Sequence, residues 1–201
     1  MVNYCKANLL DLLAIEQLEK DCFPTEAFNR RLIKNLLIST KSIIIKATEP
    51  AEKIIGNIIG ITKKVTVHPH LNLTPPPFSS SVRGTGGGIQ RNNEYSPPLV
   101  GGVRGGGELL PKKENNISLG RIFSLCILDE YRKKGIATRL VQLLEEEFSL
   151  RGIKKIGLEV SIHNTIAQQF YKRLGYSMST IVLPGFYNDG TDALVMFKNL
   201  P

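Results

Sequence analysis

The sequence predicts a mixed α/β domain in which helices flank a sheet that contains one parallel pair of strands. Apolar residues recur at helical spacing near the start, and runs of β-branched residues follow. The last part of the chain alternates strand, helix, strand, helix, strand, which predicts a parallel pair joined by a right-handed crossover. With 201 residues, 42% of them apolar and 22% charged, the chain suits a single globular domain over 1–201.

The first forty residues predict two helices. The segment "LLDLLAIEQLEKDC" at 9–22 predicts a helix that Asn8 caps, and "FP" at 23–24 ends it. Thr25 is the predicted cap of the second helix. The inward face of the first helix is predicted to hold Leu9, Leu12, Leu13, Ile15, Leu18 and Cys22, and that of the second to hold Phe28, Leu32 and Leu36.

Two strands and an irregular insertion follow. The β-branched runs at 41–47 and 53–67 predict strands, and "TEPAE" between them predicts a hairpin turn. Seven of the eleven prolines then lie between Pro69 and Pro111, so 69–116 is predicted to be a Gly/Pro-rich insertion with too few large apolar residues to pack. Its two RG-containing pieces leave nucleic-acid binding open, but an inert loop is the prediction that we favour.

The second half of the chain predicts the crossover unit. "ISLGRIFSLCI" predicts a mostly buried strand, and "IATRLVQLLEEEFSL" predicts a helix whose glutamates at 145–147 mostly face water. "KKIGLEVSI" predicts the next strand, and "NTIAQQFYKRLGY" a helix with Asn164 as its cap and Gly175 as its stop. "DALVMFKNL" predicts a final strand.

Composition limits the classes of function. The three cysteines form no CxxC pair and are predicted to be small buried hydrophobic residues, and we expect no metal site because "HPH" at 68–70 has no neighbouring ligands. No run of about 18 apolar residues predicts a transmembrane helix, and the N-terminal stretch lacks the pattern of a signal peptide, so we expect a cytoplasmic protein without a membrane partner. The net charge of +8 favours an anionic partner.

The stretch "EYRKKGIATRL" at 130–140 predicts an anion site. Three cations precede Gly135, and a helix begins there whose first N–H groups have no partner within the helix. A glycine lets the main chain approach a bulky ligand, so the loop predicts a pyrophosphate cradle. The alternative is a charged loop that happens to end at a helix.

Two motifs resemble the GNAT acetyltransferases. "RKKGIA" matches the Q/R-x-x-G-x-G/A pattern of that superfamily, and "LEVSIHNTIAQQFYKRLGY" is similar to its second signature. The ends "DLLAIEQLEKDCFP" and "FYNDGTDALVMFKNL" resemble the branch of ribosomal-protein-alanine and archaeal N-terminal acetyltransferases. The resemblance covers 1–67 and 118–200, and it implies the GNAT fold, a mixed central sheet with a splayed central strand pair flanked by helices.

The resemblance implies acetyl-CoA as co-substrate. Its diphosphate is expected on the main-chain amides from Arg132 to Thr138, and its pantetheine along the backbone of the preceding strand. Asn164 is expected near the thiol, or as a simple helix cap. The implied cofactor-binding residues are Leu125, Cys126, Ile127, Arg132, Lys133, Lys134, Gly135, Ile136, Ala137, Thr138, Asn164 and Tyr171.

The resemblance also implies two catalytic residues. Tyr171 is expected to protonate the departing thiolate, since phenols and thiols have pKa values of about 10 and about 8.5. Glu159 in "LEV" is the expected base for the amine, and the alternative is a solvent-facing residue paired with a lysine. Phe23 and Tyr187, with Phe186, are expected to line the acceptor groove.

The sequence therefore predicts an enzyme that acetylates protein N-terminal α-amines by direct attack of the amine on the thioester. Acetylation of lysine or of a small amine is the first alternative. A module that binds CoA or RNA without turnover is the second.

Overall fold

The computed structural model describes residues 1–67 and 115–201. The predicted insertion at 69–116, its RG-containing pieces and "HPH" therefore lie outside the described residues, apart from 115–116, which already belong to a strand. None of the helices in the two described ranges is both long and apolar enough to cross a membrane. The helices are α1 (Leu12–Cys22), α2 (Arg30–Ile38), α3 (Ile136–Leu150) and α4 (Thr165–Arg173), with single 3-10 turns at Leu9–Asp11 and Asp129–Tyr131.

A seven-stranded sheet forms the centre of the fold. The strands are β1 (Asn3–Lys6), β2 (Ser42–Thr48), β3 (Ile54–Val67), β4 (Asn115–Ile127), β5 (Lys155–Ser161), β6 (Ser177–Leu183) and β7 (Ala193–Asn199). They lie in the order β1-β2-β3-β4-β5-β7-β6, and every neighbouring pair is antiparallel except β4–β5. The predicted mixed α/β fold with one parallel pair is confirmed.

The parallel pair separates soon after it forms. Only Gly120 with Ile156 and Arg121 with Gly157 are in register between β4 and β5. Directly beyond them β4 contains a bulge, because Ile59 of β3 faces Ser124 while Gly60 faces Ile122, so that Phe123 is the extra residue. A bulge bends and twists its strand. The carboxyl ends of β4 and β5 therefore diverge, which is the splay that the resemblance implies.

Apolar cores lie on both faces of the sheet. On one face, α3 and α4 pack their apolar residues on the strands, with Leu140, Leu144 and Phe148 completely buried. On the other face, α1 and α2 contribute Ile15 and Ile33 to a smaller core with Ile44 and Ile59. The strands in the middle are apolar on both sides because helices cover both of their faces.

The first helix buries a different set of residues from the predicted one. Leu9 and Leu13 are 48% and 62% exposed, whereas Ile15 and Leu18 are buried. Glu16 and Glu19 are buried beside them, and Cys22 is half-buried. Periodicity placed the leucines inward because it assigns carboxylates to solvent. In this helix Glu19 finds hydrogen-bond donors in the interior, and Glu16 is covered by its ion pairs with Lys20 and Arg30.

Two further boundaries differ from the prediction. Asn29, not Thr25, caps α2, because its side chain accepts a hydrogen bond from the Leu32 amide at 2.9 Å, while Thr25 lies in a turn. The strand β6 at Ser177–Leu183 was not predicted, since the residues "SMST" at its start are polar or flexible and give no clear alternation. The predicted cap at Asn8 and the hairpin between β2 and β3 are confirmed.

Two predictions about burial are also wrong in part. Glu145 does not face water, because it accepts hydrogen bonds from the Tyr176 hydroxyl at 2.9 Å and from Lys198 at 2.7 Å. Cys5 is exposed on the edge strand β1 rather than buried, whereas Cys126 is buried as predicted.

We expect Gly60→Ala to destabilise the fold. A Cβ atom at Gly60 would lie 2.6 Å from Leu144 Cδ1 and 2.8 Å from Phe148 Cζ, both on α3. Overpacking of this kind costs about 1–3 kcal/mol, which urea denaturation would measure as a lower free energy of unfolding. Gly152→Asn is the control, since Gly152 has open space around it and asparagine tolerates its φ of +73°. Equal stability of G60A and wild type would contradict this packing.

Candidate active site

The loop before α3 has the backbone of an anion site. Gly135 is the N-cap of α3 with φ +79°, no side chain caps the helix, and a Cβ at this position would meet nothing within 4 Å. Lys133 also has a positive φ, of 61°. The first N–H groups of a helix point outward and carry the positive end of its dipole. The predicted start of the helix at Ile136 is confirmed, and the loop leaves this end open.

Three cations surround that helix end, but they are not equivalent. Arg132 pairs with Asp129 at 2.7 Å, and its Nε donates to the Ile127 carbonyl at 3.2 Å, so it braces the loop against the end of β4. Lys134 lies over the Tyr131 ring at 5.0 Å. Lys133 and Lys134 are exposed and form no ion pair within the described ranges. These two lysines are therefore the cations that the structure presents to an anion.

The edge of β4 that faces β5 is open next to this loop. On its other edge, Leu125, Cys126 and Ile127 pair with Ile58, Asn57 and Gly56 of β3. The pairing with β5 stops at Arg121, so within the described residues no strand covers that second edge from Ile122 to Ile127. An extended ligand can pair with such an edge as an added strand. The edge and the anion site are consecutive along the chain.

The space that opens between β4 and β5 beyond Arg121 and Gly157 is called the gap, and its closed end is at that pair. Glu159 lies on β5 near this closed end. Its side chain is buried, and its Oε2 accepts a hydrogen bond from Arg121 Nε at 2.7 Å. The partner is thus an arginine, not the lysine of the alternative prediction, and the side chain does not face solvent. Burial raises the pKa of the Glu159 carboxyl, and the Arg121 charge opposes this rise. Its second oxygen, Oε1, has no hydrogen-bond partner among the described residues.

Tyr171 lies on α4 and packs between two aromatic rings. Its ring centroid is 5.0 Å from that of Phe170 and 5.4 Å from that of Tyr176, both edge to face. Burial raises the pKa of the Tyr171 phenol, and the nearby Tyr187 phenol raises it further. Tyr171 is therefore a protonated hydroxyl throughout the neutral range, able to donate a proton or a hydrogen bond.

Two connections come together beside Glu159. The α1–α2 connection begins at Phe23, which is half-buried, and the β6–β7 connection carries Phe186 and Tyr187. They meet where Glu26 accepts a hydrogen bond from the Asn188 amide at 2.8 Å. Burial, and then the charge of Glu159, raise the pKa of Tyr187 to about 12. The charge of Glu159 therefore reaches Tyr187, while the acceptor-binding role of Phe23 and Tyr187 stays a prediction.

Asn164 caps α4 as the sequence predicts. Its Oδ1 accepts a hydrogen bond from the Ala167 amide at 3.0 Å. The residue lies three positions after the end of β5 at Ser161, on the side of the gap where β4 and β5 have diverged. Its expected contact with a cofactor stays a prediction beside this structural role.

A buried polar cluster under β4 was not predicted. Glu19 of α1 is 1% exposed and accepts hydrogen bonds from the Ser124 hydroxyl at 2.7 Å and the Cys126 thiol at 3.4 Å. The Cys126 thiol also lies 2.7 Å from Asn57 Oδ1. The cluster fixes α1 against the part of β4 that follows the bulge. The spacing of Ser124 and Cys126, two apart within an apolar strand, was the one signal in the sequence.

Comparisons with known proteins agree with this geometry. Residues 89–176 match the acetyltransferase (GNAT) family. An uncharacterized N-acetyltransferase of Methanocaldococcus jannaschii is 41% identical over 83 residues, which are 41% of this chain and 53% of that protein. N-alpha-acetyltransferase 30 of Schizosaccharomyces pombe is 42% identical over 82 residues, 40% of this chain and 54% of the relative. The chain thus spans about half the length of the curated relatives it matches.

Solved structures share the fold over nearly the whole chain. NAA60 of Arabidopsis thaliana in complex with acetyl-CoA has a TM-score of 0.69 at 20% identity and covers 99% of this chain and 98% of its own. The ribosomal-protein-S18-alanine N-acetyltransferase of Escherichia coli has a TM-score of 0.65 at 15% identity, with 100% and 94% covered. The splayed α/β sheet is therefore the GNAT fold that these solved structures share.

We expect Glu19→Gln to change how stability depends on pH. Burial raises the pKa of Glu19 in the folded chain, whereas in the unfolded chain it is about 4.3. The folded state therefore binds this proton more tightly, and the contribution of Glu19 to stability falls as the pH rises from about 4.3 through the folded pKa. The stability of E19Q relative to wild type should increase over that range, by about 1.4 kcal/mol per unit of difference between the two pKa values.

Denaturant unfolding of both proteins from pH 4 to 8 measures this change. Glu146→Gln is the matched control, because Glu146 is on the exposed side of α3 and should give no such trend. A constant difference between E19Q and wild type across the pH range would contradict a buried, ionisable Glu19.

Proposed function

We propose that the chain is an acetyl-CoA-dependent N-acetyltransferase that acetylates protein N-terminal α-amino groups. The observation that carries this proposal is that three parts of the site lie next to one another in the order that a long cofactor needs. An anion site at the start of α3, an open edge of β4 and the buried carboxyl of Glu159 follow one another along a single gap. A long cofactor with a phosphate end and a thioester end needs this order of contacts.

The chain's own residues fit CoA in that gap. Lys133, Lys134 and the first amides of α3 would hold the diphosphate, with Gly135 leaving room for it. The open backbone edge of Leu125, Cys126 and Ile127 would pair with the pantetheine. Ile136 is buried in the core, so it would contribute through its main chain, as would the partly exposed Ala137 and Thr138. Acetyl-CoA supplies the activated acetyl group that the amine attacks directly.

Glu159 and Tyr171 would move the protons. The acceptor amine must be neutral to attack, and the free oxygen of Glu159 can take its proton directly or through a water molecule. Tyr171 would stabilise or protonate the leaving thiolate, since its phenol stays protonated at neutral pH. The described part of the chain holds no cluster of three metal-ligating residues, and these roles need none.

The acceptor class rests on the relatives and on the groove. Matching proteins are named N-alpha-acetyltransferases in Schizosaccharomyces pombe, Saccharolobus solfataricus and Dictyostelium discoideum, and their names support an N-terminal amine as acceptor. The α1–α2 and β6–β7 connections would form the walls around that amine, with Phe23 and Tyr187 lining them. A cytoplasmic location, a single domain with an insertion at 69–116, and no nucleic-acid partner stay predictions.

Incubation of the full chain with acetyl-CoA and three kinds of acceptor tests the proposal. The acceptors are peptides with a free α-amine, the same peptides blocked at the N-terminus but containing lysine, and a polyamine. Mass spectrometry should detect acetyl transfer only to the free α-amine. Transfer only to lysine or polyamine would contradict the N-terminal α-amine as acceptor and favour a lysine or small-amine acetyltransferase. CoA binding without any transfer would favour a binding module. The K133E/K134E variant should raise the KM for acetyl-CoA, whereas K41E, at the exposed Lys41, should not.

We expect Tyr171→Phe to lower kcat with little change in the affinity for CoA. The substitution removes the phenolic hydroxyl but keeps the ring that packs against Phe170 and Tyr176. Loss of a general acid typically costs about 10²–10⁴-fold in rate. Steady-state kinetics gives kcat, and calorimetry gives the Kd for CoA. Tyr176→Phe is the matched control, because the Tyr176 hydroxyl donates a hydrogen bond to Glu145 and has no role in the proposed reaction. Unchanged kcat in Y171F would remove Tyr171 from the mechanism.

A further inference from the structure

A buried ion pair marks the point where β4 and β5 separate. Arg121 Nε lies 2.7 Å from Glu159 Oε2, and the two side chains are 11% and 3% exposed. Arg121 is the last residue of β4 in register with β5, where it pairs with Gly157. Glu159 lies two residues after Gly157 on β5. No motif in the sequence singled out Arg121, yet it is the charged group nearest to the proposed base.

Arg121 is held on a second side by aromatic rings. Its guanidinium carbon lies 5.1 Å from the centroid of Phe123, the extra residue of the bulge. Phe123 in turn stacks on Phe28 of the α1–α2 connection, with 4.7 Å between ring centroids. A planar guanidinium suits both contacts, since it can donate in its plane and stack on its face. The bulge therefore fixes the orientation of the guanidinium as well as the divergence of the strands.

The two oxygens of Glu159 are in different situations. Oε2 accepts the hydrogen bond from Arg121, while Oε1 is buried without a hydrogen-bond partner among the described residues. A buried polar atom left unpaired costs about 1–3 kcal/mol, so it is retained only where something else favours it. An ammonium group or a water molecule that enters the gap would satisfy this oxygen.

The charge of Glu159 depends on its neighbours. Burial raises the pKa of its carboxyl, whereas Arg121 first and Lys63 of β3 more weakly lower it. The other titratable groups near it are Tyr187 on the β6–β7 connection and, beyond Tyr187, Glu26 and Tyr171. Without the guanidinium, burial would strongly favour the protonated carboxyl, which cannot accept a proton.

We propose that Arg121 is a positioning residue for the transfer reaction: its guanidinium keeps the Glu159 carboxylate charged and turns Oε1 toward the acceptor amine. This inference rests on the proposed function, in which Glu159 is the base. The two carboxylate oxygens of Glu159 then have different roles: Oε2 accepts the hydrogen bond from Arg121, and Oε1 accepts the proton of the acceptor amine.

The test compares wild type, Arg121→Gln and Arg121→Lys in acetyl transfer to an N-terminal peptide from pH 5 to 9. Loss of a neighbouring opposite charge raises a carboxyl pKa by about 1–3 units. We therefore expect the acid limb of the pH profile of kcat/KM in R121Q to move to higher pH by at least about one unit. At a given pH on the acid side of the limb, kcat/KM of R121Q should then be roughly tenfold lower than that of wild type. R121K keeps the charge, so it should restore the position of the limb, but not full kcat, because lysine lacks the planar group.

Arg30→Gln is the matched control. Arg30 pairs with Glu16 at 2.6 Å through the same kind of Nε–Oε2 contact, but Arg30 is 62% exposed and Glu16 has no role in the proposed reaction. R30Q should leave the acid limb where it is in wild type. The same acid limb in R121Q and wild type would overturn the role of Arg121 and leave the proposed function intact. Absence of transfer by wild-type protein would overturn the proposed function itself.

A measurement on wild-type protein keeps the inference testable should R121Q fail to fold. The ¹³C carboxyl resonance of Glu159, assigned by its loss in Glu159→Gln, reports the charge of that group directly. The inference requires the carboxylate form at pH 7. A protonated Glu159 at pH 7 in wild-type protein would overturn it whatever the variants do.

Discussion

The separation of β4 from β5 after Arg121 is the constraint on which the rest of the site depends. Gly120 allows the two strands and α3 to meet closely at the closed end, since a Cβ there would lie 3.0 Å from the Phe148 ring and 3.2 Å from Ile156. The bulge at Phe123 then turns β4 away. The residues with a proposed chemical role lie along the gap that opens between the two strands. Its closed end carries Glu159 and its open end carries the loop before α3.

Two glutamate side chains near that gap, Glu159 and Glu19, are buried, and their carboxyl groups are stabilised in different ways. Glu159 has a guanidinium beside it, so its carboxylate is stabilised by an opposite charge. Glu19 has a hydroxyl, thiols and an amide side chain around it, and burial is the first cause of its raised pKa. The first arrangement would preserve a carboxylate for the proposed reaction, whereas the second holds α1 against β4 through neutral donors. Burial alone therefore does not distinguish the proposed base from a structural carboxyl.

The sequence predicted those features that local patterns determine. The caps at Asn8 and Asn164, the hairpin after β2 and the glycine at the start of α3 follow from the few residues around each of them. The strand β6 was missed because its pairing with β7 is irregular and its residues are mostly exposed. Arg121 and Glu19 could not be assigned from patterns, because the partners of each lie 38 and 105 residues away along the chain. Long-range pairing of charged residues leaves no periodic signal.

The hydrogen bond between the Asn188 amide and Glu26 joins two segments that are 162 residues apart in the chain. It ties the α1–α2 connection to the β6–β7 connection, which carries Tyr187. In the proposed reaction these two connections are the walls around the acceptor amine. The hydrogen bond would then set the distance between the two walls, and so the size of the acceptor that fits between them.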